Sequence, residues 1–164
     1  MKKMVQVLII LLTTIFSQNG LSAETIRNDN TSKKNTEIKA YFDVNIGEPD
    51  KLLIRLKMIE TTYSQFIASG ISPHFIIGIR GKASNYFTKN DDYILDVDIP
   101  VKKKIATMVD QFKAKGFRME QCRLAAGMQE ISVADFLPLV EVVSNGYASM
   151  IVYQSQGYAF VPMD

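Results

Sequence analysis

Five short apolar runs alternate with four stretches of helical periodicity, and this alternation organises the chain from residue 38 onward. The first run, "IKAYFDVNI" (38–46), is rich in β-formers and nearly continuous, as in a strand buried on both faces. Gly47 breaks it, and Pro49 suits the first turn of a helix, where its missing N–H has no intrahelical partner. Leu52, Leu56, Ile59, Tyr63 and Phe66 then form one helical stripe, with Lys51, Arg55, Lys57 and Gln65 largely off it, and Gly70 supplies a stop. "PHFIIGIRG" (73–81) reads as a second strand. Val101, Ile105, Met108, Val109 and Phe112 mark a second amphipathic helix ending at Gly116, followed by "FRMEQC" (117–122) as a third strand. Ser132 and Asp135 have capping-box spacing for a short helix ended by Pro138, and "LVEVV" (139–143) is a fourth strand. Ser144 or Asn145 can cap a last helix through about Gln156, Gly157 stops it, and "YAFV" (158–161) closes as a fifth strand.

Strands alternating with helices over short connections predict an α/β domain with a mostly parallel five-stranded sheet and helices on both faces. In such sheets ligands gather beyond the carboxyl ends of the strands. Cys122 lies at one such end, and "GIRGKAS" (78–84) lies at another.

The N-terminal pattern is different. Lys2 and Lys3 precede an apolar run over residues 5–16, too short for the roughly 20 residues that span a bilayer, and small residues follow up to Ala23. Residues 1–23 are therefore expected to be a signal peptide, with release into the Gram-negative periplasm and no stable membrane anchor after cleavage. The residue directly after the expected cut is Glu24 rather than a cysteine, which excludes a lipoprotein. Residues 24–37 are polar and aperiodic and read as a disordered leader, leaving 38–164 as one domain.

Charge excludes one class of partner. Without Lys2 and Lys3 the 19 basic residues fall to 17, equal to the 17 acidic ones, so no concentrated positive surface is available for nucleic acid. The one dense basic cluster, "VKKK" (101–104), reads as the solvated face of a helix.

Most familiar chemistry is absent. "GIRGKAS" has two residues between its glycines where a phosphate loop needs four, and no GxGxxG follows the first strand. One histidine, His74, and one cysteine, far apart in sequence, make no metal set, so neither metal nor cofactor is expected. Cys122 has two open readings. It is a small buried hydrophobe, or it is a nucleophile whose thiolate is stabilised by Arg123 and by the N–H groups of "RLAAG" at the start of a helical turn.

The segments "AYFDV" (40–44), "GIRGKA" (78–83), "FRMEQCRLAAG" (117–127), "FLPLVEVVSNG" (136–146) and "QGYAFV" (156–161) together resemble the DsrE/DsrF-like family of sulfur-relay proteins, and its exported branch in particular. The chain departs from that branch at Arg80, where relatives often carry His, and in the Arg-Leu that follows the cysteine. The resemblance implies a five-stranded α/β fold, a homotrimer or homohexamer, and a persulfide carried on Cys122. Arg123, Arg80, Gly81 and Gly127 are the expected binding residues around it, and a sulfur donor or acceptor protein or small sulfur compound is the expected partner. The alternative is a non-catalytic oligomeric binding or structural module that kept the fold. Cys122 is expected to be partly exposed. "MIVY" (150–153) puts apolar side chains around a full turn of the last helix, which is then either wholly buried in its own domain or covered by a second subunit.

Overall fold

The computed structural model describes residues 36–163, so the expected signal peptide and all but the end of the polar leader lie outside the described residues. Five parallel strands, β1 (Glu37–Val44), β2 (Ser72–Ile79), β3 (Arg118–Cys122), β4 (Glu141–Val143) and β5 (Ala159–Met163), form one sheet in the order β4-β3-β2-β1-β5. The helices are α1 (Pro49–Ala68), α2 (Ile99–Ala114), α3 (Arg123–Met128) and α4 (Gly146–Ser155). A 3-10 stretch, Gly81–Phe87, follows β2, and the capping-box segment after α3 forms only a single 3-10 turn, Val133–Asp135. Ser132 still caps that turn, accepting from the Ala134 N–H. No helix among the described residues is long and apolar enough to cross a membrane.

The strand order decides which face each helix covers. The steps β1 to β2 and β2 to β3 move in one direction across the sheet, so right-handed crossovers put α1 and α2 on the same face. The step from β4 back to β5 runs the other way, and α4 lies alone on the opposite face. Side-chain alternation fits this division. Phe42, Val44, Ile77, Ile79 and Met119 join Leu52, Leu56, Ile59, Ile105, Val109 and Phe112 in the apolar core under α1 and α2. Tyr41, Asp43, Glu120 and Cys122 point to the α4 face, and all four are buried.

One reading of the sequence needs correction, and one of two alternatives falls away. Lys102 is not part of a solvated face: it is 4% exposed, and its ammonium donates to the Asn90 carbonyl and to Asp91 Oδ1 at 3.0 Å. It falls three and seven residues before Ile105 and Val109, on the buried stripe of α2, and it reaches past the helix to clip the 90–91 loop. The apolar turn of α4 is not wholly buried, since Ile151 is 66% and Val152 51% exposed.

Removing the Lys102 ammonium loses two hydrogen bonds that tie the 90–91 loop to α2, while the Asn90 carbonyl keeps the Thr88 hydroxyl and Asp91 keeps water. Lys102→Ala is expected to cost about 1–3 kcal/mol, read as a lower urea midpoint, whereas Lys103→Ala on the exposed face should change it by less than about 0.5 kcal/mol.

Candidate functional site

Cys122 is the last residue of β3 and the N-cap residue of α3, with extended backbone angles of φ −71° and ψ 118°. The neighbouring connection leaves the sheet on its other side: β4 leads into α4, whose first residue is Gly146. Such a divergence opens a crevice at the carboxyl ends of the strands, and the thiol sits in it. The Gly146 N–H donates to Cys122 Sγ at 3.1 Å, while the Asn145 side chain caps α4 by accepting from the Tyr147 N–H at 2.9 Å. The positive end of the α4 dipole is thereby aimed at the sulfur.

Gly146 is required by proximity. A Cβ at this position would lie 2.9 Å from Cys122 Cβ and 3.3 Å from Sγ, closer than side chains tolerate. Gly81 is required by conformation, since its φ of +57° lies in the left-handed region at the turn out of β2. From below, Gln121 fixes the end of β3. It is fully buried and donates from Nε2 both to Ser84 Oγ and to the Cys122 carbonyl, each at 2.9 Å, tying the strand end to the 81–87 stretch.

A cavity of about 460 Å³ opens beside the thiol, lined by Arg80, Gly81, Cys122, Leu124, Ala125, Met128, Gln129 and Tyr147. Arg80 arrives at the end of β2, but Asp43 claims its guanidinium, with Nε donating to Oδ1 at 2.6 Å and Nη2 to Oδ2. Its remaining nitrogen Nη1 donates to the Tyr147 hydroxyl at 3.2 Å, and the guanidinium carbon lies 5.1 Å from the Tyr147 ring centre. The hydrogen bonds to Asp43 push the Arg80 pKa still higher, so it stays protonated and paired.

Deeper under α4 lies Glu120, 2% exposed. Its carboxylate accepts from Tyr153 OH at 2.7 Å and from Ser149 Oγ, and Arg118 Nε stands 3.0 Å away. Arg118 is shared with Glu141. Burial, with Glu120 and Asp43 close by, raises the Tyr41 pKa, and burial plus the hydrogen bond to Glu120 raises that of Tyr153. Both phenols are neutral at any physiological pH.

Of the residues expected at the site, three come together. Cys122, Arg80 and Gly81 line one cavity. Cys122 is buried rather than partly exposed, at 3%, because α4 packs its first turn onto the sulfur. Arg123 is exposed and lies outside the cavity lining, as does Gly127. The start of α3 follows the thiol directly, but the N–H that bonds the sulfur comes from α4. The sequence reading missed Asp43, Glu120, Gly146 and Tyr147. Two of these had a signal: a carboxylate inside an apolar strand, as in "AYFDV" and "RMEQC", must find a buried partner. Among the described residues no group of three or more His, Cys, Asp or Glu side chains could hold a metal.

Gly146→Ala is expected to destabilise the fold by about 1–3 kcal/mol through overpacking against Cys122. Adding Cys122→Gly to that variant should recover part of the loss, so that a double-mutant cycle in urea gives a coupling of at least about 0.5 kcal/mol. Additive losses would show that the two residues do not press on one another.

No family model matches the chain. An uncharacterized protein of Aquifex aeolicus (strain VF5) is 28% identical over 134 residues, covering 76% of this chain and 56% of that protein, so the chain spans little more than half of its relative's length. Among solved structures, MTH1491 of Methanobacterium thermoautotrophicum, a protein of unknown function, superposes with a TM-score of 0.59 at 16% identity, over 77% of this chain and 98% of that one. The ychN protein of E. coli gives a TM-score of 0.57 at 12% identity, over 76% and 98%. Likeness at this level of identity speaks to architecture alone, and the architecture is the DsrE-like α/β fold, built on a five-stranded, all-parallel sheet.

Proposed function

We propose that this chain is a sulfur carrier of the DsrE-like kind, holding a persulfide on Cys122. The observation that carries the reading is the 3.1 Å hydrogen bond from the Gly146 N–H, at the start of α4, to Cys122 Sγ beside a cavity. A backbone donor at a helix start favours negative charge on the sulfur, and the thiolate is the nucleophile. In the reaction Cys122 Sγ attacks the outer sulfur of a donor persulfide, R–S–SH. A new S–S bond forms at Cys122, the donor S–S bond breaks, and the proton released from Cys122 ends on the departing R–SH. No electrons are gained or lost overall. The described residues contain no second thiol, so relay onward runs to a separate acceptor.

The near-complete burial of Cys122 supports the second reading, a module that kept the fold without the relay. Exposure of native protein to a persulfide donor separates the two. Wild type should gain one sulfur atom by intact mass, reversibly under reductant, and Cys122→Ser should gain none. A wild-type chain that takes up no sulfur leaves the module reading.

We also propose export and self-association. Ile151 and Val152 on α4 and Phe160 on the edge strand β5 leave apolar side chains in water that a second copy of the chain would cover. Light scattering and intact mass on protein recovered from the periplasm test both parts together. A trimer or hexamer of chains beginning at Glu24 is expected, and a monomer, or a chain keeping Met1 in the membrane fraction, contradicts them.

A further inference from the structure

The walls of the Cys122 cavity are unlike those of a site for a charged sulfur compound. Leu124, Ala125, Met128 and the Tyr147 ring supply most of its side-chain surface, and Met128 and Leu124 are among the most exposed apolar side chains of the chain, at 83% and 56%. Arg80 is the one formal charge in the lining, and three of its five N–H groups are already donated within the fold. All three of its nitrogens are engaged, two of them by a carboxylate that cancels its charge. Beneath Cys122 the balance is negative, because the buried Glu120 and the exposed Glu141 share the single guanidinium of Arg118. Arg123 stands outside the lining in water, where its field is screened.

An anion entering this cavity would lose its hydration, meet a guanidinium already neutralised by Asp43, and approach two paired but buried carboxylates. A neutral apolar molecule would instead replace water against Leu124, Met128 and Tyr147. We propose that the cavity admits neutral, apolar organic sulfur compounds to Cys122 and turns away anionic ones such as thiosulfate or carboxylated disulfides. As a statement about the donor it rests on the sulfur-carrier reading, but its test does not require sulfur to be carried.

The test compares two aryl disulfides of similar size on native protein: a neutral dipyridyl disulfide and the dianionic dithiobis(nitrobenzoate). In both, Cys122 thiolate attacks one sulfur, a mixed disulfide forms, and an aryl thiolate leaves and is counted by its absorbance. Each rate is divided by that of the same protein unfolded in urea, which removes intrinsic differences between the probes. The neutral probe should retain an advantage of about tenfold or more in the native state. Asp43→Asn, which frees the Arg80 charge, should shrink that advantage by about fivefold. Met128→Lys, at a fully solvated rim position, should shrink it too without disturbing the core. Equal normalised rates in wild type overturn the inference, as do two silent probes or an advantage that neither variant alters. If discrimination holds while no persulfide forms, the sulfur-carrier reading fails and the selective cavity stands.

Discussion

Glu120 sets the terms for one whole side of this molecule. A carboxylate in the third strand of a five-stranded sheet, 2% exposed, costs several kcal/mol unless its oxygens are satisfied. Its partners Ser149 and Tyr153 are four residues apart on α4, one above the other on the same stripe. Gripping both at once fixes the helix against rotation and against sliding. With 149 and 153 turned inward, Ile151 must face solvent, and the first turn of α4 must come down over the end of β3. The placement of Gly146 on the sulfur follows from a contact made two turns further along the helix.

The same face shows how a site can be electrostatically quiet while full of charge. Asp43 pairs with Arg80, and Glu120 shares Arg118 with Glu141, so the buried charges are met within the fold and leave little for a visitor. What remains for the thiol is a backbone N–H and a helix dipole, neither of which brings a net charge or a mobile side chain. Fixed dipoles of this sort need no rearrangement when charge appears on the sulfur. The neutral phenols of Tyr41 and Tyr153 add polarity without ionising.

Much of this was legible in the sequence because parallel strands buried on both faces read as unbroken apolar runs, and Gly47, Gly70, Gly116 and Gly157 punctuate them. Strand ends shifted by at most two residues, and β4 is three residues long where five were expected, since Leu139 and Val140 turn into the strand rather than pair in it. The site was legible only as far as local pattern reaches. The stripe of α2 contained the information that Lys102 is buried, but its neighbours Lys103 and Lys104 masked it. The pairing of Arg80 with Asp43, 37 residues away, follows from strand register, which one chain's sequence does not display. Burial of Cys122 depends on α4, and α4 is placed by Glu120, so each step of that inference is tertiary.

Topology also imposes an order of events. The first four strands are laid down side by side as the chain lengthens, each beside the one just made, whereas β5 must return across the sheet so that Ala159 can pair with Ala40. Contacts of such long sequence separation carry the largest loop-closure cost and form late. Because α4 is the crossover to β5, its grip on Glu120 through Ser149 and Tyr153 and the pairing of β5 with β1 hold it from both sides. Removing β5 would open a sheet edge at β1 and leave the Glu120 contacts alone to hold α4, and with it the N–H donor, over the thiol. The hydrogen bond at Cys122 thus reports on the seating of the one crossover that returns across the sheet.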